Sequence, residues 1–228
     1  MNPVLLLHGA TGSAGQFDDL KKQLSKDMTV YTMDFYGHGK DPEVDKSFSI
    51  EGFAEQVSSF INGLQLKQAI NIFGYSMGGY VAMYMARHSG HSGKIITLGT
   101  KFHWDEATAS KESKMLQPNL IEQKVPAFAR QLSERHGNER WKNLLNKTAA
   151  MLTEMGQTNP LSAEDFANIQ SPSLIMLGDR DKMVSLNETV SVYQTLPDAQ
   201  LAILPGTSHP VEQADSSLIA YHIRRFIG

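Results

Sequence analysis

Cysteine is absent from the 228-residue sequence. Its absence excludes disulfide bonds, thiolate metal sites and a cysteine nucleophile, so catalytic chemistry has to use other side chains. A long apolar segment near the N-terminus is also absent. The run at residues 4–7 is too short to cross a membrane and lacks the basic flank of a signal peptide. We therefore expect a cytoplasmic protein with no membrane partner.

The sequence also has little net charge. Its 24 acidic residues nearly balance 21 basic ones and leave a formal charge of −3. Such a balance gives no positive field for a polyanion, so no nucleic-acid partner is expected. A hydrophobic content of 41% with 20% charged residues is ordinary for a globular protein of this length. The chain is long enough to bury one sizeable core.

Short runs rich in Val, Ile and Leu alternate with helical patterns. Six of these runs are predicted to be buried strands, at residues 4–7, 29–34, 69–73, 94–98, 174–177 and 201–204. Apolar residues between Ile50 and Leu64 recur at the spacing of one helix face. Alternation of this kind predicts an α/β fold with a mostly parallel sheet covered by helices on both faces. Ligands of such sheets bind beyond the carboxyl ends of the strands.

The alternation is interrupted between residues 101 and 170, where helical spacing dominates and no strand pattern occurs. We interpret this segment as a helical insertion. Its nine basic and nine acidic residues cancel, so the insertion has no net charge with which to attract an anionic substrate.

A serine between two glycines lies where a strand pattern changes to a helix pattern, in Gly74-Tyr75-Ser76-Met77-Gly78. This context is typical of a nucleophile elbow, a sharp turn that exposes the serine hydroxyl. The flanking glycines remove side chains that would collide with the neighbouring strand and helix. The structural alternative is a tight turn in which Ser76 only caps the helix.

A serine hydroxyl needs a base, and the base needs an orienting carboxylate. His209 follows the last predicted strand, which places it at the same sheet edge as Ser76, whereas the other seven histidines fall in helices, the insertion or turns. Asp179 and Asp181 both follow the fifth predicted strand. Spacing alone does not choose between these two aspartates.

Hydrolysis through a tetrahedral intermediate also requires backbone N–H donors for the oxyanion. Met77 follows the serine at the start of a helix and offers one donor. The first strand leads into small residues at positions 8–13, which makes Ala10 the second expected donor. A phosphate-binding loop is the alternative for this segment, but neither of the usual glycine-rich phosphate patterns is present.

Taken together, these segments resemble the α/β-hydrolase superfamily, specifically its small esterases, lactonases and meta-cleavage hydrolases. The resemblance lies in five segments in the family's order: LLLHGATGS (5–13), MDFYGHGKD (33–41), GYSMGG (74–79), LGDRDKMV (177–184) and GTSHPVEQ (206–213). It implies a hydrolase core at residues 1–100 and 171–228 and a substrate-selecting cap at 101–170. The antiparallel hairpin that usually comes first in the family is expected to be missing.

The resemblance implies a catalytic triad of Ser76, Asp181 and His209, with Asp181 preferred over Asp179, and it places His38 on a structural turn. It further implies an acyl-enzyme that hydrolyses a small ester, lactone or thioester, without a cofactor or metal. The expected partner is therefore a small acyl substrate, while the sequence indicates no oligomeric state.

Aromatic residues of the insertion are candidates for the substrate pocket, in particular Phe102, Trp104 and Trp141. The alternative is that each of them packs the insertion onto the core. Three other functions share the same motifs: a superfamily lyase, a cofactor-free perhydrolase and a binding protein without turnover. An anionic lyase substrate would favour extra arginines in the insertion, where charge is balanced.

Overall fold

The computed structural model describes residues 1–43 and 45–228. Within these ranges it contains six strands and ten α-helices. The strands are β1 (Pro3–Leu7), β2 (Thr29–Thr32), β3 (Asn71–Tyr75), β4 (Ile95–Leu98), β5 (Ser173–Gly178) and β6 (Ala199–Leu204). The helices are α1 (Asp18–Leu24), α2 (Ile50–Gly63), α3 (Met77–His88), α4 (Glu106–Met115), α5 (Pro118–Lys124), α6 (Pro126–His136), α7 (Arg140–Gln157), α8 (Ala163–Ala167), α9 (Leu186–Thr195) and α10 (Ser216–Ile227).

The six strands form one sheet in the order β2-β1-β3-β4-β5-β6, and every strand pair in the described part of the chain is parallel. This arrangement confirms the predicted α/β fold. The central strands β1, β3, β4 and β5 are buried along their whole length, whereas the edge strands β2 and β6 are partly exposed. No antiparallel strand occurs in the described ranges.

Strand β3 lies two residues later than predicted, at residues 71–75 instead of 69–73. The prediction followed hydrophobic side chains and therefore stopped before Gly74. In the sheet, Gly74 pairs with Leu7 on one side and Thr97 on the other. The strand thus runs directly into Ser76, and α3 begins at the next residue.

Alternating side chains of the strands build two hydrophobic cores, one on each face of the sheet. Val4 and Leu6 belong to the core formed with α1 and α10. Leu5 and Leu7 point to the opposite core, which includes α2, α3 and apolar residues of the segment between β4 and β5. Burial of both faces explains why the central strands lack a polar alternation.

All five helices between β4 and β5 lie within the predicted insertion. Helix α8 and the residues just before it pack against α3 of the core. Asp165 of α8 accepts a 2.9 Å hydrogen bond from Arg87 of α3, and the amide of Leu161 donates to the hydroxyl of Tyr80, which is also in α3. The name cap is therefore used below for residues 101–157, which include α4 to α7. Among the described residues, no helix combines the length and the hydropathy needed to span a membrane.

Candidate active site

Ser76 occupies a backbone conformation that few side chains adopt. Its φ and ψ angles are 51° and −119°, and Gln65 is the only other non-glycine residue of the described chain with positive φ. A conformation of this type costs on the order of 1–3 kcal/mol and persists only where surrounding structure enforces it. The Ser76 amide donates to the Leu98 carbonyl at 2.9 Å, and the Ser76 carbonyl accepts from the Thr100 hydroxyl at 3.0 Å. These bonds hold the turn between β3 and α3.

Two glycines let the strand and the helix approach each other at this turn. A Cβ atom on Gly74 would collide with the backbone of Gly78 and Gly79, and one on Gly78 would collide with the backbone of Leu7 and His8. Close backbone approach therefore explains why both flanking positions are glycine. The consequence is a sharp turn with the Ser76 side chain on its outside, facing a cavity.

His209 and Asp181 lie together beyond the carboxyl ends of β6 and β5. The His209 Nδ1–H group donates a 2.7 Å hydrogen bond to Asp181 Oδ2, and the Asp181 side chain is only 2% exposed. The other oxygen of Asp181 accepts from the amides of Met183 and Val184 at 2.8 and 2.9 Å. Burial opposes ionisation of this carboxyl, but the hydrogen bonds outweigh it and lower its pKa. The group is therefore a carboxylate at neutral pH.

Asp179 has a different environment from Asp181. One of its oxygens accepts from the Thr207 amide at 3.2 Å, and the other lies 3.6 Å from the exposed guanidinium of Arg180. Asp179 thus ties the loop after β5 to the loop after β6. Its carboxylate makes no contact with His209 among the hydrogen bonds of the described residues.

Ser76 and His209 line the same cavity. The His209 ring centroid is 5.4 Å from that of Tyr75, the residue before the serine. No hydrogen bond joins the Ser76 hydroxyl to His209 in the described ranges. Hydrogen bonds of this kind often shorten only in the complex with substrate.

The two expected oxyanion donors border this cavity as well. Met77 is the first residue of α3, and the first amides of a helix have no partner within it. Ala10 follows β1 in a turn closed by a 3.0 Å bond from the Gly12 amide to the Gly9 carbonyl. An ideal Cβ on Gly9 would lie 3.3 Å from the Ser76 Cβ, so this turn passes directly beside the serine.

The cavity has a volume of about 1070 Å³ and lies between the carboxyl edge of the sheet and the cap. Methionines are frequent in its wall, and the apolar cap residues that line it are Trp104, Met115, Leu116, Phe128, Met151, Leu152 and Met155. Unbranched thioether side chains adapt their shape to what they contact. Among the described residues, no group of three or more His, Asp or Glu side chains is arranged to hold a metal ion.

The three predicted pocket aromatics lie in different places. Trp104 lines the cavity, whereas Phe102 and Trp141 do not. Phe102 is 2% exposed and packs edge-on against Phe166, and Trp141 is 3% exposed within the core. The sequence left two interpretations of these aromatics open, lining of the pocket or packing of the insertion onto the core, and the first holds only for Trp104. Arg135 and Glu212, which the sequence reasoning did not single out, also border the cavity.

These features define the class of protein: its parallel sheet is covered by helices, and a strained serine turn and a His–Asp pair lie at the carboxyl edge of that sheet. Residues 2–211 match the family described as alpha/beta hydrolase fold, and the chain belongs to that family. The match confirms the resemblance found in the five sequence segments. It also establishes an enzyme of the hydrolase type.

Three similar proteins illustrate the breadth of the family. The chain is 21% identical to 2-(acetamidomethylene)succinate hydrolase of Mesorhizobium japonicum, over 98% of this chain and 87% of that protein. It is 32% identical to pimeloyl-[acyl-carrier protein] methyl ester esterase of Neisseria meningitidis, over 48% of this chain and 40% of the esterase. A thermophilic esterase from Thermogutta terrifontis superposes with a TM-score of 0.80 at 21% identity, over 100% of this chain and 89% of that one.

Proposed function

We propose that this protein hydrolyses small carboxylic esters, lactones or thioesters through a Ser76–His209–Asp181 triad. The observation that carries the proposal is the 2.7 Å bond between His209 and Asp181 at the cavity that also receives the strained Ser76. Because His209 Nδ1–H is bound to the carboxylate, Nε2 is the nitrogen left to act as a base. The family membership supports the same chemistry.

The first half-reaction forms an acyl-enzyme. His209 Nε2 takes the proton of Ser76 as its Oγ attacks the substrate carbonyl, and the Ala10 and Met77 amides bind the oxyanion. The tetrahedral intermediate then breaks its bond to the leaving alkoxide or thiolate, which receives the proton from His209. Asp181 stabilises the imidazolium throughout. Water repeats both steps on the acyl-enzyme and releases the acid.

The charges around the cavity favour an uncharged acyl group. Among the described lining residues the cationic side chains are Lys101 and Arg135, and both have partners. Lys101 donates to the Met183 carbonyl at 2.7 Å and lies 3.5 Å from Glu112, and Arg135 donates to Glu212 at 2.8 Å. A substrate carboxylate would have to displace one of these contacts. We therefore expect a neutral ester to react at least tenfold faster, in kcat/KM, than the same ester with a carboxylate on its acyl chain.

The proposal is tested with Ser76→Ala and p-nitrophenyl butyrate. We expect the variant to lose at least 10⁴-fold in kcat, because the nucleophile is removed while the binding cavity remains. Ser89→Ala, at the other end of α3, serves as the matched control and should keep wild-type activity. Unchanged hydrolysis by the folded Ser76→Ala variant would refute the assignment.

The other functions that share these motifs are distinguished by assaying the wild-type protein with esters, lactones and thioesters. A perhydrolase would require peroxide and halide for its main activity. A lyase would eliminate without cleaving esters efficiently, and a binding protein would bind without turnover. Failure of the wild-type protein to hydrolyse any ester, lactone or thioester would therefore reject the proposed function.

A further inference from the structure

Three buried histidines lie behind residues 9–14, here called the oxyanion segment because they include the proposed oxyanion donor Ala10. His8 and His38 are fully buried, and His136 of the cap is 1% exposed. Their rings follow one another, with centroids 5.1 Å apart for His8 and His38 and 6.0 Å apart for His38 and His136. The hydrolytic steps proposed above use none of them.

Each histidine binds one of three successive carbonyl groups of the oxyanion segment. The pairs are His8 Nδ1 with the Gly9 carbonyl at 2.8 Å, His38 Nε2 with the Ala10 carbonyl at 2.8 Å, and His136 Nε2 with the Thr11 carbonyl at 3.1 Å. Three consecutive carbonyls therefore point towards the histidines.

The second nitrogen of His8 and of His136 fixes which nitrogen carries the proton. His8 Nε2 accepts from the Phe35 amide at 3.1 Å, and His136 Nδ1 accepts from the Gly39 amide at 2.9 Å. On His8 and His136, the nitrogen that faces the oxyanion segment is therefore assigned as the donor. Burial lowers the pKa of His136 to about 4, so the ring is neutral at pH 7 and can accept and donate at once.

The direction of the carbonyls determines the direction of the amides. In a trans peptide the C=O of one residue and the N–H of the next point in opposite directions. Because the Gly9 and Ala10 carbonyls face the histidines, the amides of Ala10 and Thr11 face away from them. Both residues border the cavity. The contact of His8 with the Gly9 carbonyl therefore fixes the direction of the Ala10 amide, and the contact of His38 with the Ala10 carbonyl fixes that of the Thr11 amide.

Arg135 adds a second connection from the cap to the same segment. Its Nη1 donates to the Thr11 carbonyl at 2.9 Å, and its Nη2 donates to Glu212 at 2.8 Å. Glu212 lies three residues after His209 and also accepts from Gln16 at 2.6 Å. One arginine thus joins the oxyanion segment to the loop of the proposed base.

We propose that Arg135 and His136, at the end of cap helix α6, are positioning residues for the oxyanion hole. Through these two residues, the oxyanion hole depends on contacts from both the core and the cap. Displacement of the cap would therefore misalign the Ala10 donor. The proposal rests on the proposed function, because an oxyanion hole has a role only in acyl transfer. Their effect is expected on kcat and not on substrate affinity.

The test uses Arg135→Gln and His136→Ala, with p-nitrophenyl butyrate as substrate. Each change is expected to lower kcat by about 10- to 100-fold with KM within about threefold, since complete loss of one oxyanion donor costs roughly 10²- to 10³-fold. A boronic acid that mimics the tetrahedral intermediate should bind more weakly by the same factor. His136→Gln should recover most of the activity, because its amide can donate to Thr11 and accept from Gly39.

Arg130→Gln is the matched control, because Arg130 is an exposed residue of the same helix. It should leave kcat, KM and boronate affinity unchanged. Wild-type kcat and boronate affinity in folded Arg135→Gln would overturn the role of Arg135, and the same result in folded His136→Ala would overturn the role of His136. Wild-type kcat in both Arg135→Gln and His136→Ala would overturn it. An increase in KM alone would also overturn it, since it would make Arg135 a substrate-binding residue.

A second measurement does not depend on ester hydrolysis. Amide hydrogen exchange in a peptide covering residues 8–16 should become faster in Arg135→Gln and His136→Ala, but not in Arg130→Gln. Unchanged exchange in both variants would overturn the proposal even if activity fell. If the wild-type protein hydrolyses no ester while exchange responds as expected, the proposed function fails and the contact between cap and oxyanion segment stands.

Discussion

The two walls of the cavity are built in different ways. The core wall consists of loops at the carboxyl ends of parallel strands, where Ser76, Asp181 and His209 are held by backbone and buried hydrogen bonds. The cap wall consists of side chains on or next to α4, Trp104 among them, and on α6 and α7; it is mostly apolar and rich in methionine. A fixed wall suits bond-breaking chemistry, whereas an adaptable wall suits the selection of an acyl group. Changes in the core wall should therefore alter kcat, and changes in the apolar lining of the cap should alter KM.

After loss of the nucleophile itself, the largest effect is expected for the orienting carboxylate. Asp181→Asn should lower kcat by about 10⁴-fold, the loss that the equivalent change causes in the serine protease template, because the amide no longer favours the productive imidazole. Asp179→Asn is the control, and its kcat should stay within about threefold of wild type. Comparable losses in the two variants would contradict the assignment of Asp181.

A pair of tryptophans separates lining from packing in the cap. Trp141→Ala should lower the free energy of unfolding by about 3–5 kcal/mol, because a buried indole leaves a large void. Trp104→Ala should leave stability nearly unchanged and raise KM about tenfold, the equivalent of roughly 1.4 kcal/mol of lost contact. Urea unfolding and steady-state kinetics on both variants check this. A larger KM effect in Trp141→Ala would show that the two roles are exchanged.

The contact between core and cap should be sensitive to acid. Burial holds the pKa of His136 at about 4 in the folded protein, whereas an unperturbed histidine in the unfolded chain has a pKa of about 6.5. Between these two pH values the unfolded chain therefore binds one proton more at this residue than the folded protein does. The contribution of neutral His136 is complete above pH 6.5 and is lost as the pH falls from 6.5 to 4. The charged or titratable groups that act on it are His38, Arg135 and Asp34.

His136→Gln should therefore reduce the slope of the unfolding free energy against pH between pH 6.5 and 4. The reduction should be at most the slope that corresponds to one proton taken up on unfolding. Part of the slope should remain, because burial also lowers the pKa values of His8 and His38. An identical slope in wild type and His136→Gln would contradict the assigned neutral state.

The smallest effect concerns the strained turn of the core wall. Ser76→Gly should have an unfolding free energy roughly 1 kcal/mol above that of Ser76→Ala. Glycine adopts a φ of 51° without the steric penalty of a Cβ atom. Part of this gain is lost because glycine gives the unfolded chain more conformational entropy. Both variants should be inactive. Equal stability of the two would show that the turn stores little strain.

The core wall was more predictable from sequence than the cap wall. Runs of Val, Ile and Leu indicated all six strands, and a Gly-x-Ser-x-Gly pattern at a strand end indicated the turn at Ser76. The choice between Asp179 and Asp181 came from the family pattern alone, since both follow the same strand. Local spacing has no information on which carboxylate turns towards a residue 28 positions away.

The cap wall depends on contacts that leave no local signal. Arg135 and His136 bind the Thr11 carbonyl across more than 120 residues of sequence. In the sequence these two residues look like an ordinary basic end of a helix, a position that such side chains favour for electrostatic reasons. The sequence likewise left open whether Trp104 and Trp141 line the pocket or pack the insertion onto the core, and tertiary packing decided that only Trp104 borders the cavity.

The central claim, that His209 and Asp181 activate the Ser76 hydroxyl, is tested most directly by labelling with a fluorophosphonate followed by peptide mapping. The account predicts a single modified peptide with the phosphonyl group on Ser76, and labelling that falls sharply in His209→Ala. Modification at another serine, or equally fast labelling of Ser76 without His209, would contradict it.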